Sequence, residues 1–365
     1  MFNTEFWAGR KVLLTGHTGF KGSWLLLLLH QLGAQIWTYA LEPDQNPSLF
    51  KELSTSIPAG LNWHHQIGDL ADHIALGDLV KSAQPEVVFH LAAQPLVRRS
   101  YQDPLGTWQT NVIGSLHLLE ALKGLGHNCS VVMVTTDKVY ENREWVYGYR
   151  ESDRLGGHDP YSASKAGAEL AIASWRASFC GNDLHQTPFL RIATARAGNV
   201  IGGGDWSTDR IVPDAMRSLS CGQPIPVRNP VATRPWQHVL EPLVGYLSLA
   251  EALADVHNPP CEAFNFGPHL SSNRTVEDLV SQMLCVWPGE WVDQRKADAP
   301  HEANLLHLQI DKAHHCLSWS PQWDFITTVQ RTVNWYRSYH DGKSAFECCL
   351  DDLNAYTKRH STPNE

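Results

Sequence analysis

What this chain lacks narrows its function before any motif is read. Among its 365 residues no stretch approaches the roughly 20 consecutive apolar residues of a membrane span; the greasiest run, Leu25 to Leu29, reads as a core helix. No two of the eight cysteines stand at CxxC spacing, and the vicinal pair Cys348/Cys349 is poorly placed to close on itself. A zinc site and a disulfide framework are therefore not expected, and reduced thiols in a cytoplasmic protein fit best. The adjacent histidine pairs His64/His65 and His314/His315 lack the i, i+4 spacing that sets two ligands on one helical face, so no metal is expected. No Lys/Arg cluster offsets the formal charge of −9, which argues against nucleic acid. The start, MFNTEFWAGRK, has neither the basic opening nor the long apolar core of a signal peptide, and internal repeats are absent.

What is present is alternation. VLLT, GHTGFKG, the apolar helix from Ser23 to Leu32 and the strand from Gln35 to Leu41 read as strand, glycine turn, helix, strand. The pattern repeats through NWHHQIGDL, a helix around 75–82, VVFHLAA, a helix from about 107 to 123, SVVMVTT, a helix from Asp159-Pro160 to about Phe179, and FLRIATARAGNVIG. Such alternation predicts an α/β fold with a doubly wound parallel sheet of Rossmann type. After about residue 200 prolines and glycines become frequent, as in QPIPVRNP and HNPPCEAFNFGP. A cofactor-binding domain over 1–200 and a smaller C-terminal substrate domain over 201–365 are expected, with the chain free to cross between them.

Gly16, Gly19 and Gly22 stand between the first strand and the first helix. A tight turn, a close backbone approach to a pyrophosphate and a helix N-terminus facing the anion all require that arrangement, so a dinucleotide is expected there. The helix that starts at Asp159-Pro160 puts Tyr161 and Lys165 at i and i+4 on one face, where an ammonium can stabilise a phenolate. The strand ending in TTDK delivers Thr136, Asp137 and Lys138 to the carboxyl edge of the sheet, where parallel sheets display their chemistry.

The glycine spacing, with Phe20 inside it, resembles the TGxxGFxG of extended short-chain dehydrogenases/reductases, and YxxxK fits the same family. By that resemblance Asp69 and Leu70 in IGDL contact the adenine, Ala92 and Ala93 in HLAAQ line the nicotinamide side, and Asn111 kinks its helix. The second strand ends in Ala40 where the family often has an acid for the ribose; Glu42 lies two further on and no Arg or Lys is nearby, which favours NAD over NADP.

Thr136 and Tyr161 would serve an epimerase equally well, but Asp137 adds an acid for a departing hydroxyl, as in sugar-nucleotide 4,6-dehydratases. Such an acid must hold its proton, which burial favours. Lys138 stands where most dehydratases carry a Glu as the C5 base, and acts as a base only when neutral; Lys138, water and Glu141 remain open for that role. The strings from TDKVYENREW through RAGNVIGGGDW, RNPVATRPWQHVLEPLVGYL, FNFGP and APHEA closely resemble the CDP-glucose branch of these dehydratases over nearly the whole chain. The resemblance implies a CDP-glucose substrate, with Asn199 and Arg234, then Arg210 and Arg228, on the diphosphate, Gln94 toward the sugar and His301 at the nucleotide end. Trp206 and Trp236 are offered either as base-stacking or as core residues. A homodimer or tetramer through helices 107–123 and 162–179 is also implied. An epimerase and a non-catalytic NAD sensor of the same fold are the alternatives.

Overall fold

Runs of β-branched and apolar residues supply most of the strands; the edge strand WHHQI is the polar exception. In the computed structural model, which describes residues 3–56, 63–180, 189–255, 257–295 and 305–359, seven of them form one parallel sheet. They are β1 (Lys11–Thr15), β2 (Gln35–Ala40), β3 (Trp63–Ile67), β4 (Val87–His90), β5 (Cys129–Val134), β6 (Leu190–Ala197) and β7 (Ala263–Phe266). Their spatial order is β7-β6-β5-β4-β1-β2-β3. The chain winds outward from β1 to β3, then returns to the other side of β1 as β4, where Thr15 pairs with His90. A crevice opens at the carboxyl ends of the strands at such a reversal, and the site described below lies there.

Alternate strand residues face opposite layers. Leu13, Val88, Val131, Met133 and Ile192 pack against α2 (His73–Ala83), α3 (Gly114–Leu122) and α4 (Pro160–Phe179). Val12, Leu14, Phe89, Val132 and Ala195 turn the other way. They share one core with α1 (Phe20–Gln31), α5 (Ile211–Ser220), α6 (Leu240–Leu253), α7 (Phe325–His340) and α8 (Ala345–Arg359), of which α1 and α6 lie directly on the sheet. Leu25 to Leu29 are all buried because α1 lies between the sheet and α6, so it has no solvent face to make polar. No described helix is long and apolar enough to cross a membrane.

The sequence division near residue 200 is not a clean cut through the chain. Helix α6 packs on β5 and β6, and β7 adds to the sheet beside β6, so residues 240–266 complete the first layer. Two element boundaries also differ from expectation. The strand expected over FLRIATARAGNVIG stops at Ala197, because the chain turns at Gly198 and resumes as Val200–Ile201, paired with Gln237–His238. The helix expected from 107 starts earlier, at Pro104 with Asp103 as its cap, and is interrupted by a single π turn over Gln109–Ile113.

Candidate active site

The glycine turn is built by backbone contacts that exclude a side chain. Gly16 has φ +79°, and a Cβ there would stand 2.5 Å from the Ala92 nitrogen; a Cβ on Gly22 would stand 2.1 Å from the Gly16 carbonyl oxygen. Gly19 is different: its Cβ would meet only ordinary contacts, and it caps α1 without any side chain occupying the helix N–H groups. The turn therefore presents bare backbone and a helix N-terminus to a cleft of 1430 Å³, larger than one drug-sized ligand needs. Gly16, Gly19, Phe20, Gly22, Asp69, Leu70, Ala92 and Ala93 all line it. Asp69 accepts the Ala71 N–H at 2.9 Å, and Leu70 is wedged under Gly114, where a Cβ would come within 2.9 Å of it. Ala40, Leu41, Glu42, Pro43, Asp44 and Gln45 form the wall beyond β2, acidic and without a base. This cradle fits a dinucleotide without a 2′-phosphate.

The π turn has a purpose in this geometry. It holds Asn111, 1% exposed, where its Oδ1 accepts the Gln94 N–H (2.9 Å) and its Nδ2 donates to the Ser164 hydroxyl (2.9 Å), which donates in turn to the Tyr161 carbonyl (2.7 Å). The HLAAQ turn and the start of α4 are thus pinned to one another. Asp159 caps α4 through the Ser162 N–H at 3.0 Å with Pro160 in its first turn, which fixes Tyr161 and Lys165 one turn apart on the cleft side.

Across from them, Thr136 donates to the Asp137 Oδ1 at 3.0 Å, and the Lys138 ammonium reaches the same oxygen at 3.1 Å. Thr136 and Lys138 line the cleft; Asp137 lies just behind them, fully buried, its Oδ2 without a hydrogen-bond partner and close to Gly198. The expected phenolate is not favoured here: burial pushes Tyr161 up to about 12, the Thr136 hydroxyl and Arg210 pull it back, and Asp137 adds to the rise. Lys165 falls to about 8 through burial, opposed by the Glu169 carboxylate one turn further along α4, and its ammonium donates to the Val134 carbonyl at 3.3 Å.

The remaining expected residues divide. Asn199, Arg210, Arg228, Arg234 and Trp236 line the same cleft. Arg210 is tethered by Asp205 at 2.9 Å, Arg228 by Asp209 at 2.7 Å, and Arg234 donates to the Thr233 carbonyl at 2.9 Å. Gln94 lines the cleft too, yet its amide is committed to the loop: Oε1 accepts the Leu96 N–H at 2.7 Å, while Nε2 donates to the Leu96 carbonyl and the Thr107 hydroxyl. Trp206 packs on Tyr336 and Tyr339 as a core residue. His301 lies outside the described residues. Among the described residues no cluster of three or more His, Cys, Asp or Glu is arranged to hold a metal.

Sequence reasoning missed Lys21. It lines the cleft inside the glycine turn and falls to about 7, chiefly by burial, then by Arg210, with Asp137 opposing and Lys165 and Lys138 adding to the fall. The signal was available: Lys21 is the one lysine or arginine in the GHTGFKG turn. His17 was missed as well. Its Nε2 lies 2.8 Å from His65 Nδ1, and burial together with His65 lowers it to about 3, so it is a neutral spacer under the turn.

The comparisons agree with this geometry. The family described as GDP-mannose 4,6 dehydratase matches residues 13–256. A CDP-glucose 4,6-dehydratase of Salmonella typhimurium is 44% identical over 358 residues, 98% of either chain. A dTDP-glucose 4,6-dehydratase of Streptomyces antibioticus is 30% identical, covering 74% of this chain and 75% of that one. The solved dTDP-glucose 4,6-dehydratase of Streptomyces venezuelae, with NAD and TYD bound, superposes with a TM-score of 0.76 at 23% identity, covering 92% of this chain and 99% of that one. The chain belongs to the GDP-mannose 4,6 dehydratase family, within the extended short-chain dehydrogenases/reductases.

Proposed function

We propose that this chain is an NAD-dependent 4,6-dehydratase of CDP-D-glucose, which loses one water to give CDP-4-keto-6-deoxy-D-glucose for deoxysugar synthesis. The observation that carries the reading is the meeting of Thr136, Asp137 and Lys138 with Tyr161 and Lys165 beside the glycine cradle. The substrate comes from the Salmonella relative, which shares 44% identity along the full length. Residues up to about 200 hold the cofactor and later ones the nucleotide sugar, with Asn199, Arg210, Arg228 and Arg234 facing the diphosphate, where guanidinium forks match its oxygens. His301 is kept for the nucleotide end.

The chemistry that NAD would supply when bound is reversible hydride acceptance together with a positive charge on its ring. Gly16, Gly19, Phe20, Gly22, Asp69, Leu70, Ala92 and Ala93 would hold it. Burial alone keeps Tyr161 protonated; the positive charge that bound NAD would bring offsets that burial, so that Tyr161, assisted by the Thr136 hydroxyl, takes the proton of the C4 hydroxyl as C4 becomes a ketone. The ketone acidifies the C5 hydrogen, which Lys138, Glu141 or a water on that wall removes. The C6–oxygen bond breaks as the departing hydroxyl gains a proton from the Asp137 group, which reaches the cleft through Thr136 and Lys138, leaving a 4-keto-5,6-ene. The hydride taken from C4 then returns to C6 and a proton is given back to C5, so that the net change is loss of one water and the cofactor ends as it began. Lys165, enclosed and charged below about pH 8, keeps the Tyr161 site electropositive throughout. An epimerase would need no buried acid bridging these two residues.

Leu105 and Leu170 are exposed at 82% and 62% on the adjoining helices Pro104–Trp108 and α4, and Trp108 and Ile113 lie beside them on the chain. That apolar face suits a homodimer through two helices per subunit. Eight unpaired thiols and a nucleotide-sugar substrate favour the cytoplasm. The test is mass spectrometry of CDP-glucose, UDP-glucose, GDP-mannose and dTDP-glucose, each incubated with protein and NAD. Loss of one water from CDP-glucose alone is expected; loss from another nucleotide overturns the substrate, and no loss from any overturns the reaction.

A further inference from the structure

At the mouth of the cleft two arginines from opposite walls converge on one carboxylate oxygen. Arg98, on the helix Val97–Gln102 that follows the HLAAQ turn, reaches the Asp209 Oδ1 at 3.1 Å; Arg228, after the strand Ile225–Val227, reaches the same atom at 2.7 Å. The second arm of Arg228 goes to Asp214 at 3.2 Å, a carboxylate already paired with Arg217. Asp209 holds φ +64°, a left-handed conformation in which a residue with a side chain is strained, though Asp and Asn tolerate it better than most. All three side chains line the cleft and are between 38% and 49% exposed.

These observations belong together. Two guanidiniums brought to one point repel unless an anion sits between them, and here the chain supplies that anion from a strained loop position. Exposed ion pairs contribute little, so the bridge opens at small cost. A diphosphate carries more charge and more oxygens than a carboxylate and engages two forks at once.

We propose that Arg98 and Arg228 form an anion-binding gate that Asp209 occupies in the ligand-free protein and that the diphosphate of the arriving nucleotide sugar takes over. The exchange releases Asp209 from its strained conformation and ties the cofactor wall to the substrate wall through the ligand. The identity of the anion rests on the proposed function; the gate itself does not, because any diphosphate contests Asp209.

The experiment is calorimetric titration of CDP and, separately, inorganic pyrophosphate into wild-type protein, Asp209→Asn, Asp209→Gly and Arg98→Gln. Asn and Gly both accept the left-handed conformation, so neither variant has to rebuild the loop. Loss of two weak competing pairs is expected to tighten both ligands about three- to ten-fold in Asp209→Asn and Asp209→Gly. Arg98→Gln is expected to weaken both by a similar factor, and to erase most of the gain when combined with Asp209→Asn. Affinities within two-fold of wild type in both Asp209 variants overturn the gate, as does an Arg98→Gln variant that binds both ligands normally. Tighter pyrophosphate in the Asp209 variants with no CDP binding by any form supports the gate and overturns the CDP-sugar assignment. Failure of all forms to bind either ligand overturns the anion site itself.

Discussion

Replacing Glu169 with alanine strands a buried guanidinium. The Glu169 carboxylate accepts from the Thr135 hydroxyl at 2.5 Å, the Thr194 hydroxyl at 2.8 Å, and the Arg196 Nε and Nη2 at 3.0 and 2.8 Å. Arg196 is 3% exposed and also holds the Tyr140 hydroxyl (2.8 Å) and the Glu151 carbonyl (3.1 Å), so it cannot swing out to water. Removing one partner of such a pair costs about 3–5 kcal/mol. With an unfolding entropy of about 2.1 cal/mol/K per residue, the whole chain loses roughly 0.8 kcal/mol of stability per degree near its midpoint, so Tm should fall by about 5 °C. Scanning calorimetry at pH 7 reads this directly. Adding Arg196→Met to Glu169→Ala removes the stranded charge and should restore more than half of the loss. A fall below 1 °C in the single variant, or a further fall in the double, would refute the reasoning. Burial raises the Glu169 carboxyl, but Arg196 and the threonines outweigh it and hold it below the ordinary range. Its stabilisation is therefore present above pH 4.5 and is lost as pH falls through the lowered folded value. Since Glu169 also raises Lys165, its loss should move the alkaline limb of turnover to lower pH.

Three other outcomes follow from the site. Gly22→Ala places a Cβ 2.1 Å from the Gly16 carbonyl and should cost about 1–3 kcal/mol and abolish NAD binding by fluorescence titration, whereas Gly124→Ala, with nothing within 4 Å, should do neither. Lys165→Met should raise Tm at pH 7 while abolishing turnover, because holding Lys165 near 8 instead of 10.5 costs about 3 kcal/mol when it is charged. The folded protein binds fewer protons than the unfolded chain between those two values, so wild-type stability should climb with pH across that interval. The variant should climb less steeply, the rest of the slope belonging to Lys21. Asp137→Asn should leave C4 oxidation intact and block loss of water, seen as reduced nicotinamide absorbance without a dehydrated product; unchanged turnover would remove Asp137 from the mechanism.

The sheet and the reacting residues were legible because their signals are local. A glycine turn between a strand and a helix, Tyr161 and Lys165 one turn apart behind an Asp-Pro cap, and Thr136 at a strand end each carry their meaning within a few residues. What was left open or missed depends chiefly on partners outside the local segment. Gln94 lines the cleft as expected, but its amide is held by Thr107, 13 positions on, as well as by neighbouring Leu96. The Tyr161 phenol looked ready to ionise, but how deeply it is enclosed depends on elements packed from elsewhere. Trp206 carries nothing locally to show that Tyr336 and Tyr339 surround it, and the Arg98–Asp209 bridge spans 111 positions. Lys21 is the exception, a local signal overlooked because the glycines around it drew the reading.

The late arrival of β7 has a consequence for how the chain is made. Synthesis delivers β1 to β6 first, and until residue 266 emerges the outer edge of β6 has no neighbour. Leu190–Ala197 is buried along its whole length in the finished fold, so during that interval a ribosome would carry a strand meant for the interior with an open row of backbone donors and acceptors. Cutting the gene near codon 200 to isolate the cofactor half would make that interval permanent, and the fragment would be expected to aggregate through the uncovered edge.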